Sequence, residues 1–154
     1  GVPSSFAATW PGARAIETWN YKIGSEFLDA FGRPNSSSDP PCERNTSGTI
    51  VQALHLMHGD GLQKKITHEK GRARRLSDSK LTVAEIADEV YLAALSRRPT
   101  KAERAQVEKF YRDHKDEQEN KDEQENKDEK KSRRTATEDF IWAIINSAEF
   151  VFNH

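Results

Sequence analysis

Three copies of one local pattern restrict the fold more than anything else in the chain. Thr82 with Glu85, Thr100 with Glu103 and Thr135 with Glu138 each set a threonine three residues before a glutamate. That spacing is a capping box: the hydroxyl accepts from the third amide, and the carboxylate reaches back to the threonine's own N–H. The runs that follow have a helical period. Val83, Ile86, Ala87, Val90, Ala94 and Leu95 share one face, and Leu81 can staple onto Ile86 across the first turn. Ala102, Val107, Phe110 and Tyr111 form the buried side of the next helix. Phe140, Ile141, Ile144, Ile145 and Ala148, flanked by Trp142, face the core from a last helix predicted to begin at Thr135 and run through Glu149. Pro99 disfavours helical geometry at Arg98, so the SRRPT turn ends the first of the three and predicts an antiparallel hairpin with the second. The expected class is mainly α: one domain of about five or six helices, with a loop-like N-terminal segment and a C-terminal helical bundle.

The N-terminal third carries weaker signals. Residues 1–24 mix prolines, glycines and scattered aromatics without a sustained period, and read as extended chain with strand character around Ala15 to Thr18. Ser25 is the N-cap of a short helix carrying Phe27, Leu28 and Phe31 and closed by Gly32. Arg33-Pro34 leaves it, and residues 35–41 form an irregular loop. Thr46 or Ser47 caps a helix through Met57, with Ile50, Val51, Leu54 and Met57 as one buried face and Gly59 as its stop. Phe27 to Asp60 is expected to pack across the bundle. A weaker, basic helical region, 61–76, breaks near Gly71. The apolar end, Phe150 to His154, is expected to pack back on the body.

Composition bounds the rest. A chain of 154 residues is the size of one ordinary domain, with 34% hydrophobic and 32% charged residues. Much of the charge is local: no apolar side chain occurs in 112–134, a low-complexity insertion where KDEQEN is repeated in succession. The pairs Glu117 to Lys121 and Glu123 to Lys127 favour helix, so the tract reads as an acidic docking arm or as an expanded inter-helix connection, a frayed helix or a disordered loop. A net charge of -1 argues against a generally basic nucleic-acid binder. No stretch approaches the length of a membrane span, and no signal peptide is visible. The single cysteine, Cys42, cannot form an internal disulfide.

Residues able to do chemistry concentrate between Phe27 and Asp60. Cys42, His55 and His58 are the candidates to hold a metal, the two histidines three apart on one helix. A structural site wants four protein ligands and no second cysteine exists, so no metal is expected. Arg33, Cys42, Glu43, Arg44, His55 and Asp60 form the candidate polar cluster. Arg33, Glu43 and Arg44 can pair with Asp29 or Asp60 as a salt-bridge network pinning the 35–41 loop, or present the arginines to an anion or sugar acid. Asp29, Asp39, Glu43 and Asp60 are carboxylates for hydrolysis, with no separation fixed. The basic stretch Lys64 to Arg75 sets six cations against Glu69. It reads as a solvated face or a surface for phosphate or acidic polysaccharide, without the aromatics that single-strand binding wants.

The chain resembles the C-terminal part of the planctomycete cytochrome-c-associated domain of unknown function (domain of unknown function 1553). The resemblance is carried by FLDAFGRP at Phe27–Pro34, CER at Cys42–Arg44, QALHL at Gln52–Leu56, YLAALSRRPT at Tyr91–Thr100 and NSAEFVFNH at Asn146–His154. It implies a fragment of an exported, multidomain bacterial protein, starting part-way through its domain and ending close to the natural C-terminus. Its partners would be upstream domains of the same polypeptide and a cell-surface carbohydrate system. Any haem would sit on a separate upstream domain; no cofactor is expected in this segment, which lacks a CxxCH attachment. The family brings no established catalytic residues. Two departures stand out: Pro40 replaces a cysteine often found two residues before Cys42, and His58 replaces the usual Asn before Gly-Asp. The expected function is an accessory, non-enzymatic module, with a hydrolase-like or redox enzyme sited at Arg33, Glu43, Arg44 and His55 as the alternative.

Overall fold

The computed structural model describes Val2, Trp10 and residues 12–17, 24–31, 50–119 and 125–152. Among them the fold is mainly helical, without strands: α1 Glu26–Ala30, α2 Ile50–His58, α3 Asp60–Ile66, α4 Arg72–Ser77, α5 Val83–Leu95, α6 Lys101–Glu119, α7 Glu125–Ile145 and α8 Ala148–Val151. The basic region breaks before α4 at Gly71 as expected, giving α3 and α4, whereas the break at Ser147 that separates α8 from α7 was not expected. The chain divides into two compact units, Gly1–Gly59 and Asp60–His154.

In the first unit, Ala15–Glu17 is a single 3-10 turn rather than the start of a strand. Local bonding decides it: Glu17 N–H donates to the Arg14 carbonyl at 2.9 Å, and Arg14 N–H donates to the Glu17 carboxylate at 2.8 Å. Ser25 caps α1 as expected, its hydroxyl accepting from Leu28 N–H at 3.3 Å. α1 packs against α2. The inner face of α2 is not the predicted stripe. Leu56 is buried and Gln52 and His55 are half-buried, while Val51, Leu54 and Met57 are exposed. Positions 52, 55 and 56 are the i, i+3, i+4 set turned inward. Gly59 ends α2 as predicted: its N–H donates to the His55 carbonyl at 2.8 Å, and a Cβ there would lie 2.5 Å from that oxygen.

The second unit is built on α7, which packs against α3, α4, α5, α6 and α8. Its core joins Ile66, Ala73, Leu76, Ile86, Ala87, Val90, Tyr91, Leu95, Val107, Tyr111, Ala136, Phe140, Ile141 and Ile144. Each large side chain buried this way contributes about 1.5–3 kcal/mol of transfer free energy. The first two capping boxes form as read. In α5, Thr82 Oγ1 accepts from Glu85 N–H and the Glu85 carboxylate accepts from Thr82 N–H at 2.7 Å. In α6, Glu103 N–H donates to Thr100 Oγ1 at 3.3 Å, and Thr100 N–H donates to the Glu103 carboxylate at 2.7 Å. The SRRPT turn bends through Ser96, at φ 56, and α6 returns along α5 with Arg104 bonded to Asp88 at 2.7 Å.

The third box does not form. α7 begins ten residues before Thr135 and passes through it, and Glu138 instead accepts from Arg134 one turn earlier, at 2.7 Å. Glu, Lys and Arg at 125–134 propagate helix well, and contacts to the body fix this turn. Ser132 Oγ donates to the His114 carbonyl, and Arg133 donates to the carbonyls of Ser77 and Leu81. The last helix also stops short of Glu149. Ser147 interrupts it and caps α8, accepting from Phe150 N–H at 3.2 Å. Ala102 and Ala148, expected inside, are exposed. The chain end packs inward through Phe150. α6 runs into the hexad tract as far as Glu119, and 120–124 lie outside the described residues.

Candidate functional site

Arg33, Cys42, Glu43 and Arg44, with Asp39 and Pro40, lie outside the described residues, as does the side chain of His58. Of the predicted cluster, His55 and Asp60 can be placed, and they belong to different compact units. Asp60 is exposed at the first turn of α3, 3.9 Å from Lys64. His55 is half-buried among aromatic rings. Phe27 and Phe31 stack at 4.5 Å, and the imidazole meets them at 5.8 and 6.3 Å, tilted and edge-on. Its Nε2 also lies over bare Gly59, 3.3 Å from where a Cβ would stand. This is a packed histidine joining α1 to α2. Among the described residues no group of three or more His, Cys, Asp or Glu could hold a metal ion.

The densest described polar constellation lies elsewhere, at the α5–α6 turn. Arg97 donates bidentately to Glu103, at 2.9 and 2.7 Å, and bidentately to Glu149, at 2.6 and 2.6 Å. Its guanidinium also lies 5.2 Å from the Tyr91 ring centroid. A planar fork with five donors is suited to pairing bidentately with two carboxylates at once, a geometry the lysine ammonium lacks. Arg97 thereby ties the turn to α8 across 52 residues of sequence. Reading by sequence missed it because a pair so far apart leaves no periodic signal. The one available cue was local: Glu103, already committed to a capping box, lies six residues from an arginine.

A second network ties α4, its flanking turns and α7. Arg134 donates to Glu138 and Glu69, each at 2.7 Å, and to the Thr67 carbonyl at 2.9 Å. Arg74 pairs with Asp78 and Glu69. Between α6 and α7, Tyr111 donates its hydroxyl to Thr137 Oγ1 at 2.9 Å, and Thr137 donates to the Arg133 carbonyl at 2.7 Å.

The electrostatics of these groups suit anchoring. Hydrogen bonds from Arg97 and from Thr100 hold the Glu103 carboxyl down at about 2, and Arg97 likewise lowers Glu149. Bonding to Glu149 and Glu103 raises Arg97 above its usual range. Arg134 lowers Glu69. Burial pushes the Tyr111 phenol up to about 12 and raises Tyr91. A general acid or base works best with a pKa near the operating pH, and each of these groups moves away from it.

A scan against protein-family models, a search of curated proteins and a search of solved structures each find no match to the chain.

Proposed function

We propose that the chain is an accessory, non-enzymatic interaction module of an exported, multidomain bacterial protein of the planctomycete type. It would position neighbouring domains of that polypeptide, among them a haem-bearing one or one that handles cell-surface carbohydrate. The observation that carries the non-enzymatic part is Arg97 in its double clamp. The strongest described polar cluster is spent on joining a turn to a distant helix, with its carboxylates held far from neutral pH. Val51, Leu54 and Met57 on the outer side of α2 add apolar area of the kind partner surfaces use. The motif resemblance supplies the cellular context, and the partners named rest on it.

Calorimetric titration of this chain with the haem-bearing domain of its own polypeptide tests the proposal. Binding in the micromolar range, about -8 kcal/mol, is the expected result. Substrate turnover that disappears in folded His55→Ala or Arg44→Ala variants, with no binding between domains, would overturn it in favour of an enzyme at Arg33, Glu43, Arg44 and His55.

A further inference from the structure

Most arginines of the second unit are paired. Arg74, Arg97, Arg98, Arg104 and Arg134 meet carboxylates, and Arg133 meets backbone carbonyls. Among the described residues Arg72, Arg75 and Arg112 do neither. Arg72 and Arg75 stand one turn apart on the exposed side of α4, opposite Ala73, Leu76 and Ser77, which face the core. Lys70 and Lys80 flank them in the adjoining turns, also exposed. None of these four side chains has an ion-pair partner among the described residues. Over 60–80 the chain carries seven cations against three carboxylates, a net of +4.

The complementary charge lies in the same chain. Residues 113–129, from the end of α6 through the hexads to the start of α7, hold nine carboxylates against three lysines, a net of -6. The described start of α7, from Glu125, extends beyond the point where α7 meets α4. Arg133 is fixed to the carbonyls of Ser77 and Leu81, and continuous helix carries Glu125 about 12 Å further on. The buried side of α4 faces α7, so Arg72 and Arg75 look outward.

We propose that the basic side of α4, centred on Arg72 and Arg75, docks the acidic 113–129 segment of a second copy of the chain. The cations on the α4 side are exposed, so the contact is weak and reversible, governed by ionic strength, and set by steering more than by buried area.

Sedimentation velocity on the full chain reads this directly. At about 10 mM ionic strength, where the screening length is about 30 Å, the chain is expected to self-associate; at about 1 M, where it is about 3 Å, to be monomeric. Arg72→Glu with Arg75→Glu should weaken association about tenfold or more, and so should Glu117, Glu119, Glu123 and Glu125 each changed to Lys. Mixing the two charge-reversed proteins should restore it. If the first variant does not fold by circular dichroism, Arg72→Gln with Arg75→Gln takes its place with the same expected loss. A monomer at both salt concentrations would overturn the proposal. So would association that survives the α4 changes, as an apolar contact through α2 would, or a mixture that fails to recover. Tight binding of an acidic polysaccharide by a chain that never self-associates would assign the same side to a different ligand and also overturn it.

Discussion

Gly71 and Tyr111 show how single side chains, present or absent, set the second unit. Gly71 is buried where α3 gives way to α4, and a Cβ there would lie 2.8, 3.0 and 3.3 Å from the carbonyl oxygens of His68, Lys65 and Ile66. Backbone cannot yield as a flexible side chain can, so Gly71→Ala is expected to cost about 2 kcal/mol, read as a lower urea midpoint with an unchanged slope. Tyr111 joins α6 to α7 through Thr137, which is wholly buried. Tyr111→Phe should cost about 1 kcal/mol at neutral pH. It should also change the alkaline limb. The phenol is raised from 10.0 to about 12 by burial, so the folded state favours its neutral form. That contribution is complete below pH 10 and is lost as pH rises towards about 12. Wild-type stability should fall through that window, and the Phe variant should fall less. Sequence reading placed Tyr111 on the inner side of its helix. It could not supply Thr137, which sits 26 residues away and inside an element whose start was misread.

At the scale of elements, helix starts are where sequence reading both succeeded and failed, and the reason is the same. A capping box is local, so Thr82 with Glu85 and Thr100 with Glu103 could be read without knowing the fold. The same letters at Thr135 and Glu138 lie in a helix interior, because Arg134 takes the carboxylate and α6 and α4 hold the preceding turn. Two threonine substitutions separate these cases. Thr82→Ala removes a cap and should cost about 1 kcal/mol, whereas Thr135→Ala should change stability by less than about 0.5 kcal/mol. Equal losses at the two positions would restore Thr135 as a cap. The ends of α5, α6 and α8 meet at Arg97, and this contact has its own pH signature. Glu103 falls from 4.5 to about 2 on folding, chiefly through Arg97, so its ionised form is favoured in the folded state. The contribution is present above pH 4.5 and is lost as pH drops towards about 2. Arg97→Gln should therefore lower the urea midpoint at pH 7 and converge on wild type near pH 2. A difference that persists undiminished in acid would assign Arg97 a packing role over Tyr91 instead.

Across the whole molecule, the mainly α class was legible because amphipathic period and caps agree over most of residues 82–145, and consistency between levels is what makes a sequence readable. The candidate site was less legible for a physical reason. Residue type alone grouped Arg33, Cys42, Glu43, Arg44, His55 and Asp60, yet contact depends on which compact unit a residue joins, and the boundary between Gly59 and Asp60 runs through that group. The same boundary makes a prediction about cooperativity. All buried members of the core cluster, from Ile66 to Ile144, and its half-buried partners, from Leu62 to Phe150, belong to the second unit. Both arginine networks and the Tyr111–Thr137 bond close within it too. With 95 residues, by the bounds Asp60 and His154, this unit is long enough to sustain one core. Expressed alone, 60–154 should unfold in a single cooperative transition, with a urea midpoint matching the main transition of the full chain. Its Phe140→Ala variant should lose about 3–5 kcal/mol, since Phe140 packs between Tyr91 and Tyr111, ring centroids 6.3 and 6.2 Å away. A broad, non-cooperative melt of 60–154, regained only when 1–59 is present, would show instead that the first unit is part of the same folding core.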